Sequence, residues 1–186
     1  MRTEIRLAAL GGQGMILAGV ILGKAAIADG KNAVQSQSYG PESRGGAARS
    51  EVIIADEEID YPMVIKADVL VALSQPGYDK YITEIKPAGT VIIDKDLVEV
   101  DNPPESEAYY KLPLVHTADR LGNRIVANII TLGSLCAITG VVSKDSLTKA
   151  VQSSFPEKIL DLNLEAFAAG YDLGRQALEN KDKGEK

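Results

Sequence analysis

The apolar positions of this chain fall in short unbroken blocks separated by glycine- and proline-marked turns, a pattern that alternates strand-like and helix-like segments. Ile5–Leu10 reads as a short buried strand, and residues 13–29 read as a helix with almost no polar face, which should be buried on most sides. Gly19 and Gly23 share one face of that helix, where they permit close approach of a sheet or a second helix, and Gly30 suits a left-handed helix cap. Ala33–Ser38 and Arg49–Ala55 are the next strands, joined by a loop over residues 39–46, while Pro62 makes residues 59–66 irregular. Val69–Ser74 is a continuous apolar run of the kind found in central parallel strands. Gln75-Pro76 opens a helix to about Ile85, Pro87–Gly89 turns the chain, and Thr90–Asp94 is another strand.

The acidic stretch 95–107, with Pro103-Pro104, reads as an exposed connection. Tyr109–Val115 reads as a strand, Gly122–Thr139 as a buried helix, Ser143–Ser153 as a short helix and Glu157–Leu178 as one or two more. Strands alternating with helices predict a single α/β domain over residues 1–179, a three-layer sandwich with a mixed, mostly parallel sheet, followed by a charged flexible tail at 180–186. Arg49–Ala55 follows the preceding strand too closely for a helical crossover, so an antiparallel pairing is expected there.

Composition narrows the chemistry. A net charge of −6 without a basic cluster argues against nucleic acid and anionic membranes as partners, and weakly against direct docking of an acidic ferredoxin. Cys136 is the only cysteine and His116 the only histidine, which excludes an intrachain disulfide, a four-thiolate cluster and a His/Cys zinc site. His116, between Pro113 and Asp119, reads as a cap for a following helix rather than a catalytic base. The apolar run 15–28 is shorter than the roughly 18 residues of a membrane span and contains Lys24, and the N-terminus lacks a signal-peptide profile, so a cytoplasmic location is expected.

Two loops hold the candidate chemistry. Gly11-Gly12-Gln13-Gly14 follows a strand and opens a helix, close to a dinucleotide fingerprint with Ala9 in the first glycine position. The next strand, Ala33–Ser38, lacks the carboxylate that a nucleotide ribose would need, which disfavours NAD; a P-loop is disfavoured because Gly23-Lys24 is followed by Ala25. Two readings stay open: tight strand–helix packing, or a ligand- or partner-facing turn at the C-terminal edge of the sheet at which Gln13 presents its amide. The second loop contains Tyr39, Gly40, Pro41, Glu42, Ser43, Arg44, Gly45 and Gly46. It sets an aromatic, an acid and a guanidinium on one constrained turn, where Arg44 suits bidentate contact with phosphate or carboxylate, or an internal pair with Glu42. On the helix after Gly122, Arg124, Asn128 and Thr131 share a face, either bonded internally or forming a polar seam at a subunit contact.

Together the two loops resemble the gamma subunit of 2-oxoacid:ferredoxin oxidoreductases. Leu121-Gly122-Asn123-Arg124 through Asn128 to Leu132-Gly133 is similar to the family's Gly-Asn…Asn…Leu-Gly helix, and Asn163–Phe167 with Gly170 is similar to its C-terminal helix. The long second loop is most similar to the 2-oxoglutarate type, with pyruvate and branched-chain relatives carrying similar loops. The resemblance implies a complex that decarboxylates a 2-oxoacid on thiamine diphosphate, passes electrons through iron–sulfur clusters to ferredoxin and transfers the acyl group to coenzyme A. It also implies alpha and beta subunits and a ferredoxin-like delta subunit as partners, with thiamine and clusters held by those other subunits. This chain would then be accessory and inactive when isolated, with Gly11–Gly14, Tyr39, Gly40, Glu42, Arg44, Gly45 and Gly46 facing coenzyme A or the active-site wall. The rivals are a stand-alone nucleotide- or anion-binding α/β domain and a purely structural interaction protein with no ligand contact.

Overall fold

The computed structural model describes residues 1–39, 47–101 and 108–184. Its elements are β1 (Arg2–Leu10), α1 (Met15–Ala28), β2 (Asn32–Tyr39), β3 (Ala47–Ala55), β4 (Ala67–Ala72), α2 (Gln75–Tyr81), β5 (Ile85–Asp94), β6 (Tyr109–Leu112), α3 (Leu114–Arg120), α4 (Ala127–Thr139), α5 (Lys144–Gln152) and α6 (Glu157–Gly184). Single 3-10 turns span Ile82–Glu84 and Arg124–Val126.

Six strands form one mixed sheet in the order β2-β3-β1-β4-β5-β6. β1, β4, β5 and β6 are parallel, and β3 is antiparallel to both neighbours. The antiparallel return expected after β2 is therefore present, and it inserts β3 between β2 and β1. The central strands explain their own position: Ile5, Leu7, Ala8 and Ala9 of β1 and Val91, Ile92 and Ile93 of β5 are fully buried, as strands covered on both faces must be.

The layers are unequal. α1, α3, α4, α5 and α6 contribute to one large core with the face of β1 that carries Ile5, Leu7 and Ala9. The opposite face is covered by α2, whose Tyr78 and Tyr81 meet Ala72, Ala8 and Leu70, and by the segment around Ile59 and Val64, which seals Ile53. On this thinner side the fully buried Arg6 donates through Nε to Glu51 (2.8 Å), through Nη1 to Glu84 and through Nη2 to the Val64 carbonyl (2.8 Å), with the Tyr81 ring 4.8 Å from its guanidinium carbon. A charge removed from water needs such partners on every side.

α4 and α6 pack with their backbones in contact. A Cβ on Gly170 would lie 2.0 Å from the Ile130 carbonyl oxygen, and one on Gly133 2.4 Å from that of Phe167. The Ser134 hydroxyl donates to the Gly170 carbonyl at 2.8 Å across the same contact. Gly133 and Gly170, one from each C-terminal motif, thus serve helix packing.

Several expected boundaries move. The 109–115 strand ends at Leu112: Pro113 interrupts the ladder and α3 begins at Leu114. His116 therefore lies exposed inside α3, whose N-cap is Pro113, and is not the cap of that helix. Gly122, at φ +81°, breaks the expected 122–139 helix, so that α4 proper starts at Ala127. Residues 157–178 form one helix, and α6 continues to Gly184, into the stretch expected to be a flexible tail. β5 begins at Ile85 and absorbs Pro87–Gly89 in a register shift opposite Ala67–Val69. α1 is buried on most sides, as expected, with Leu17, Val20 and Ile27 left on one exposed strip.

Candidate functional site

The C-terminal ends of β1 and β4 meet at one edge of the sheet, and the glycine turn is assembled there from four elements. The Gln13 N–H closes the turn on the Leu10 carbonyl (3.2 Å). Gly12 and Gly14 both occupy the left-handed region, at φ +97° and +72°, which L side chains rarely adopt. The Gln13 side chain then joins two strands: its Oε1 accepts from the Leu10 N–H (2.7 Å) and its Nε2 donates to the Leu73 carbonyl (3.3 Å). Both ends of the amide are thus bonded to backbone, and Gln13 positions the turn rather than extending a free amide from it.

Asn128, buried in the first turn of α4, fastens the turn from the other side. Its Nδ2 donates to the Gly14 carbonyl at 3.2 Å, and a Cβ on Gly14 would come within 2.6 Å of that nitrogen. Thr131 bonds to the Ala127 carbonyl (2.7 Å). The internal-bonding reading of these two polar residues therefore holds, and the seam reading does not.

Arg124 behaves differently from the face it was grouped with. The Asn123 Oδ1 accepts from the Ile125 N–H (3.1 Å) and sets up the 3-10 turn, which turns Arg124 out to solvent, 3.6 Å from Asp119. A cavity of about 260 Å³ opens between this turn and the glycine turn, lined by Gly12, Gln13, Leu73, Val115, Arg124, Ile125 and Ala127. A neighbouring hollow of about 210 Å³ shares Gly12 and Ile125 and continues along Leu17, Phe155, Ile159 and Asn163. The result is an apolar cleft with a guanidinium at one end and uncapped N–H groups of α1 beside it, since Gly14 offers no side-chain cap. Sequence reading missed Arg124, Ile125 and Ile159 as cleft residues. The Gly122-Asn123 turn signal was their only trace.

A larger hollow of about 510 Å³, lined by Met1, Arg2, Ala55, Glu57, Glu58 and Asp60, lies at the opposite end of the sheet and contains none of the motif residues. Cys136 is buried, donates to the Val142 carbonyl (3.4 Å), and burial pushes its thiol pKa up to about 11. It is neither exposed nor activated.

Of the second loop, Tyr39 is the last residue of β2, while Gly40, Pro41, Glu42, Ser43, Arg44, Gly45 and Gly46 lie outside the described residues. Its anchors are nonetheless fixed. Ala47 pairs with Leu10 and Tyr39 pairs with Ala48, so the loop leaves and re-enters the sheet beside the glycine turn. The same register weighs against a dinucleotide site, because the strand next to β1 on that side is the antiparallel β3 rather than a second parallel strand bearing a ribose-binding carboxylate.

The profile of the family described as pyruvate ferredoxin/flavodoxin oxidoreductase matches residues 4–173. The chain belongs to that family. It is 53% identical over 179 residues to the 2-oxoglutarate synthase subunit KorC of Methanocaldococcus jannaschii, covering 95% of this chain and 96% of the relative. It superposes on the crystal structure of the keto/oxoacid ferredoxin oxidoreductase gamma subunit from Geobacter sulfurreducens PCA with a TM-score of 0.85 at 46% identity, covering 95% of this chain and 98% of that one. It also superposes on 31% of a longer chain, the 2-oxoglutarate:ferredoxin oxidoreductase of Magnetococcus marinus with 2-oxoglutarate, coenzyme A and succinyl-CoA bound. In that comparison the TM-score is 0.87, at 27% identity over 94% of this chain. Within this oxidoreductase family, then, the gamma-subunit fold occurs both as a separate chain and within a longer one. Among the described residues no helix is long and apolar enough to cross a membrane.

Proposed function

We propose that this chain is the gamma subunit of a cytoplasmic 2-oxoglutarate:ferredoxin oxidoreductase, a multi-subunit enzyme that converts 2-oxoglutarate and coenzyme A to succinyl-CoA, releases carbon dioxide and reduces ferredoxin. The near full-length correspondence to KorC supports the subunit and the substrate. In this reading thiamine diphosphate and iron–sulfur clusters are held by alpha, beta and delta subunits, and supply the decarboxylation and electron transfer. This chain supplies a wall of the coenzyme A region.

The observation that carries the placement of that wall is the Leu10–Ala47 pairing, which roots both glycine loops at adjacent points of one sheet edge. In this proposal Gly11, Gly12 and Gly14 allow the backbone to approach an anion, and Tyr39, Gly40, Glu42, Arg44, Gly45 and Gly46 supply further contacts to coenzyme A. Gln13 holds the geometry through Leu10 and Leu73. Arg124 joins Arg44 as a second guanidinium suited to phosphate, and the apolar cleft past Ile125 suits an uncharged pantetheine-like arm.

The test is steady-state kinetics of the reconstituted complex. Arg44→Ala and Arg124→Ala should each raise the KM for coenzyme A roughly 3- to 10-fold, corresponding to the loss of about 1 kcal/mol from one exposed charge–phosphate contact. The KM for 2-oxoglutarate should stay unchanged. Unaltered coenzyme A kinetics in both variants, with the complex assembled, would remove this face from the site.

A further inference from the structure

Two buried amides in the inner hollow of the cleft are only half used. Asn128 is 5% exposed and Asn163 is 4% exposed, and both line the hollow of about 210 Å³. Asn128 Nδ2 donates to the Gly14 carbonyl (3.2 Å), and Asn163 Nδ2 donates to the Ile159 carbonyl one turn earlier in α6 (2.8 Å). Carbonyl oxygens only accept, so these bonds fix which end of each side chain is nitrogen. Each Oδ1 is left accepting no hydrogen bond among the described residues. No described side-chain polar atom that is sealed from solvent lacks a partner, so both oxygens open on the hollow they line. A buried acceptor without a donor is costly, and native assemblies supply one.

The first turn of α1 brings the opposite polarity to the same space. Gly14 and Leu17 line the hollow, Gly14 offers no side-chain cap, and the first helical bond runs from the Ala18 N–H to the Gly14 carbonyl (3.0 Å). The N–H groups of Met15, Ile16 and Leu17 precede that bond and stay available as donors. Apart from the glycines and Asn123, the remaining walls are apolar: Leu17, Ile125, Val126, Phe155, Ile159 and Leu162. No charged side chain lines the hollow. A carboxylate or phosphate here would meet the two amide oxygens, and an ammonium would meet the positive end of the α1 dipole. The fitting occupant is a neutral group that accepts and donates on adjacent atoms and is attached to an apolar chain. A secondary amide in an aliphatic chain has that character.

We propose that the hollow is an amide subsite, in which a ligand amide accepts through its carbonyl from the first turn of α1 and donates through its N–H to Asn128 Oδ1 or Asn163 Oδ1. The assignment rests on the coenzyme A reading of the cleft and names the part of that molecule the hollow takes. The hollow shares Gly12 and Ile125 with the cavity that holds Arg124. With the phosphates at Arg124, the pantetheine arm, an aliphatic chain interrupted by secondary amides, runs past Ile125 into the hollow. Asn163 is then a binding residue. Asn128 has two roles, fixing the glycine turn through Nδ2 and reading the ligand through Oδ1.

Asn163→Leu is the cleaner probe, because the Asn163 Nδ2 bond stays within α6 and leucine keeps the volume. The assembled complex is assayed against coenzyme A with two dead-end competitors. S-methylpantetheine has the amides but neither phosphates nor a free thiol, and adenosine bisphosphate has the phosphates but no amide. In Asn163→Leu the KM for coenzyme A and the Ki for S-methylpantetheine should each rise about 5- to 12-fold, the loss of one buried hydrogen bond. The Ki for adenosine bisphosphate, kcat and the KM for 2-oxoglutarate should stay unchanged. Arg124→Ala should give the reverse pattern between the two competitors. Ile159→Trp, at a rim position that is 42% exposed, plugs the hollow without altering a buried residue and should raise the same two constants at least as far. If Arg124→Ala raises the KM for coenzyme A while Asn163→Leu and Ile159→Trp change nothing, the hollow takes only water: the subsite is wrong and the wider reading of the cleft stands. If all three variants are silent, both fall. Loss of complex assembly in Asn163→Leu and Ile159→Trp, with the chain itself natively folded, would show a partner's segment in the hollow and would equally overturn the proposal.

Discussion

Gly14 and Asn128 meet where the glycine turn touches α4, and their contact can be perturbed from both sides. Gly14→Ala has two costs. Its φ of +72° is left-handed, which costs an alanine about 1–2 kcal/mol. Its new methyl would lie 2.6 Å from Asn128 Nδ2, well inside ordinary contact distance, so the amide must retreat and its 3.2 Å bond to the Gly14 carbonyl is lost. Disturbing a buried hydrogen bond adds about 1–3 kcal/mol. The expected total is about 2–5 kcal/mol. Gly12→Ala is the internal control: φ is +97°, yet nothing lies within 4 Å of its Cβ, so only the strain of about 1–2 kcal/mol is expected. Urea unfolding of the isolated chain at constant m-value measures both. Asn128→Ala should also relieve the steric part of Gly14→Ala, so that the double variant is at least about 1 kcal/mol more stable than the sum of the singles predicts. Equal costs for Gly12→Ala and Gly14→Ala, or strict additivity with Asn128→Ala, would refute the contact as the reason for the glycine.

Three further perturbations address the scaffold. Gly170→Ala forces a methyl into the Ile130 carbonyl and should separate α4 from α6, lowering the melting temperature by roughly 5–15 °C for about 2–4 kcal/mol; calorimetry reads it directly. Glu51→Ala leaves Arg6 buried with Glu84 and the Val64 carbonyl, at a cost of about 3 kcal/mol by denaturant unfolding, whereas Glu84→Ala removes a half-exposed partner and should cost less. Cys136 should resist iodoacetamide at pH 8 in the folded chain and react after unfolding. Its folded pKa of about 11 stands above the ordinary 9.0, so its stabilising contribution is complete below pH 9 and is lost as pH rises through 11. Cys136→Ala should flatten that alkaline limb by about 2–3 kcal/mol.

The central strands were legible because parallel strands covered on both faces leave unbroken apolar runs at Ile5–Leu10 and Val69–Ser74. The antiparallel β3 was legible from the short spacing after β2. The burial of Arg6 with Glu51 was not, because each looks like an ordinary exposed charge until the β1–β3 register sets them opposite one another. Apolar content was a sound guide at α1, which is buried on most sides, although it did not reveal that Leu17, Val20 and Ile27 stay open. Gln13 and Asn128 stand out in the sequence, but the bonds that define their structural roles reach to Leu73 and Gly14, on different elements. Arg124 was grouped by helical spacing with Asn128 and Thr131, and the 3-10 turn over Arg124–Val126 breaks that spacing before α4 begins.

The most direct test of the account is reconstitution of the complex from separately purified subunits with and without this chain, following ferredoxin reduction by 2-oxoglutarate and coenzyme A. The account predicts that omitting the chain abolishes activity dependent on coenzyme A, and that restoring it recovers turnover with 2-oxoglutarate in preference to pyruvate. Full turnover without the chain, or recovery only with pyruvate, would contradict it.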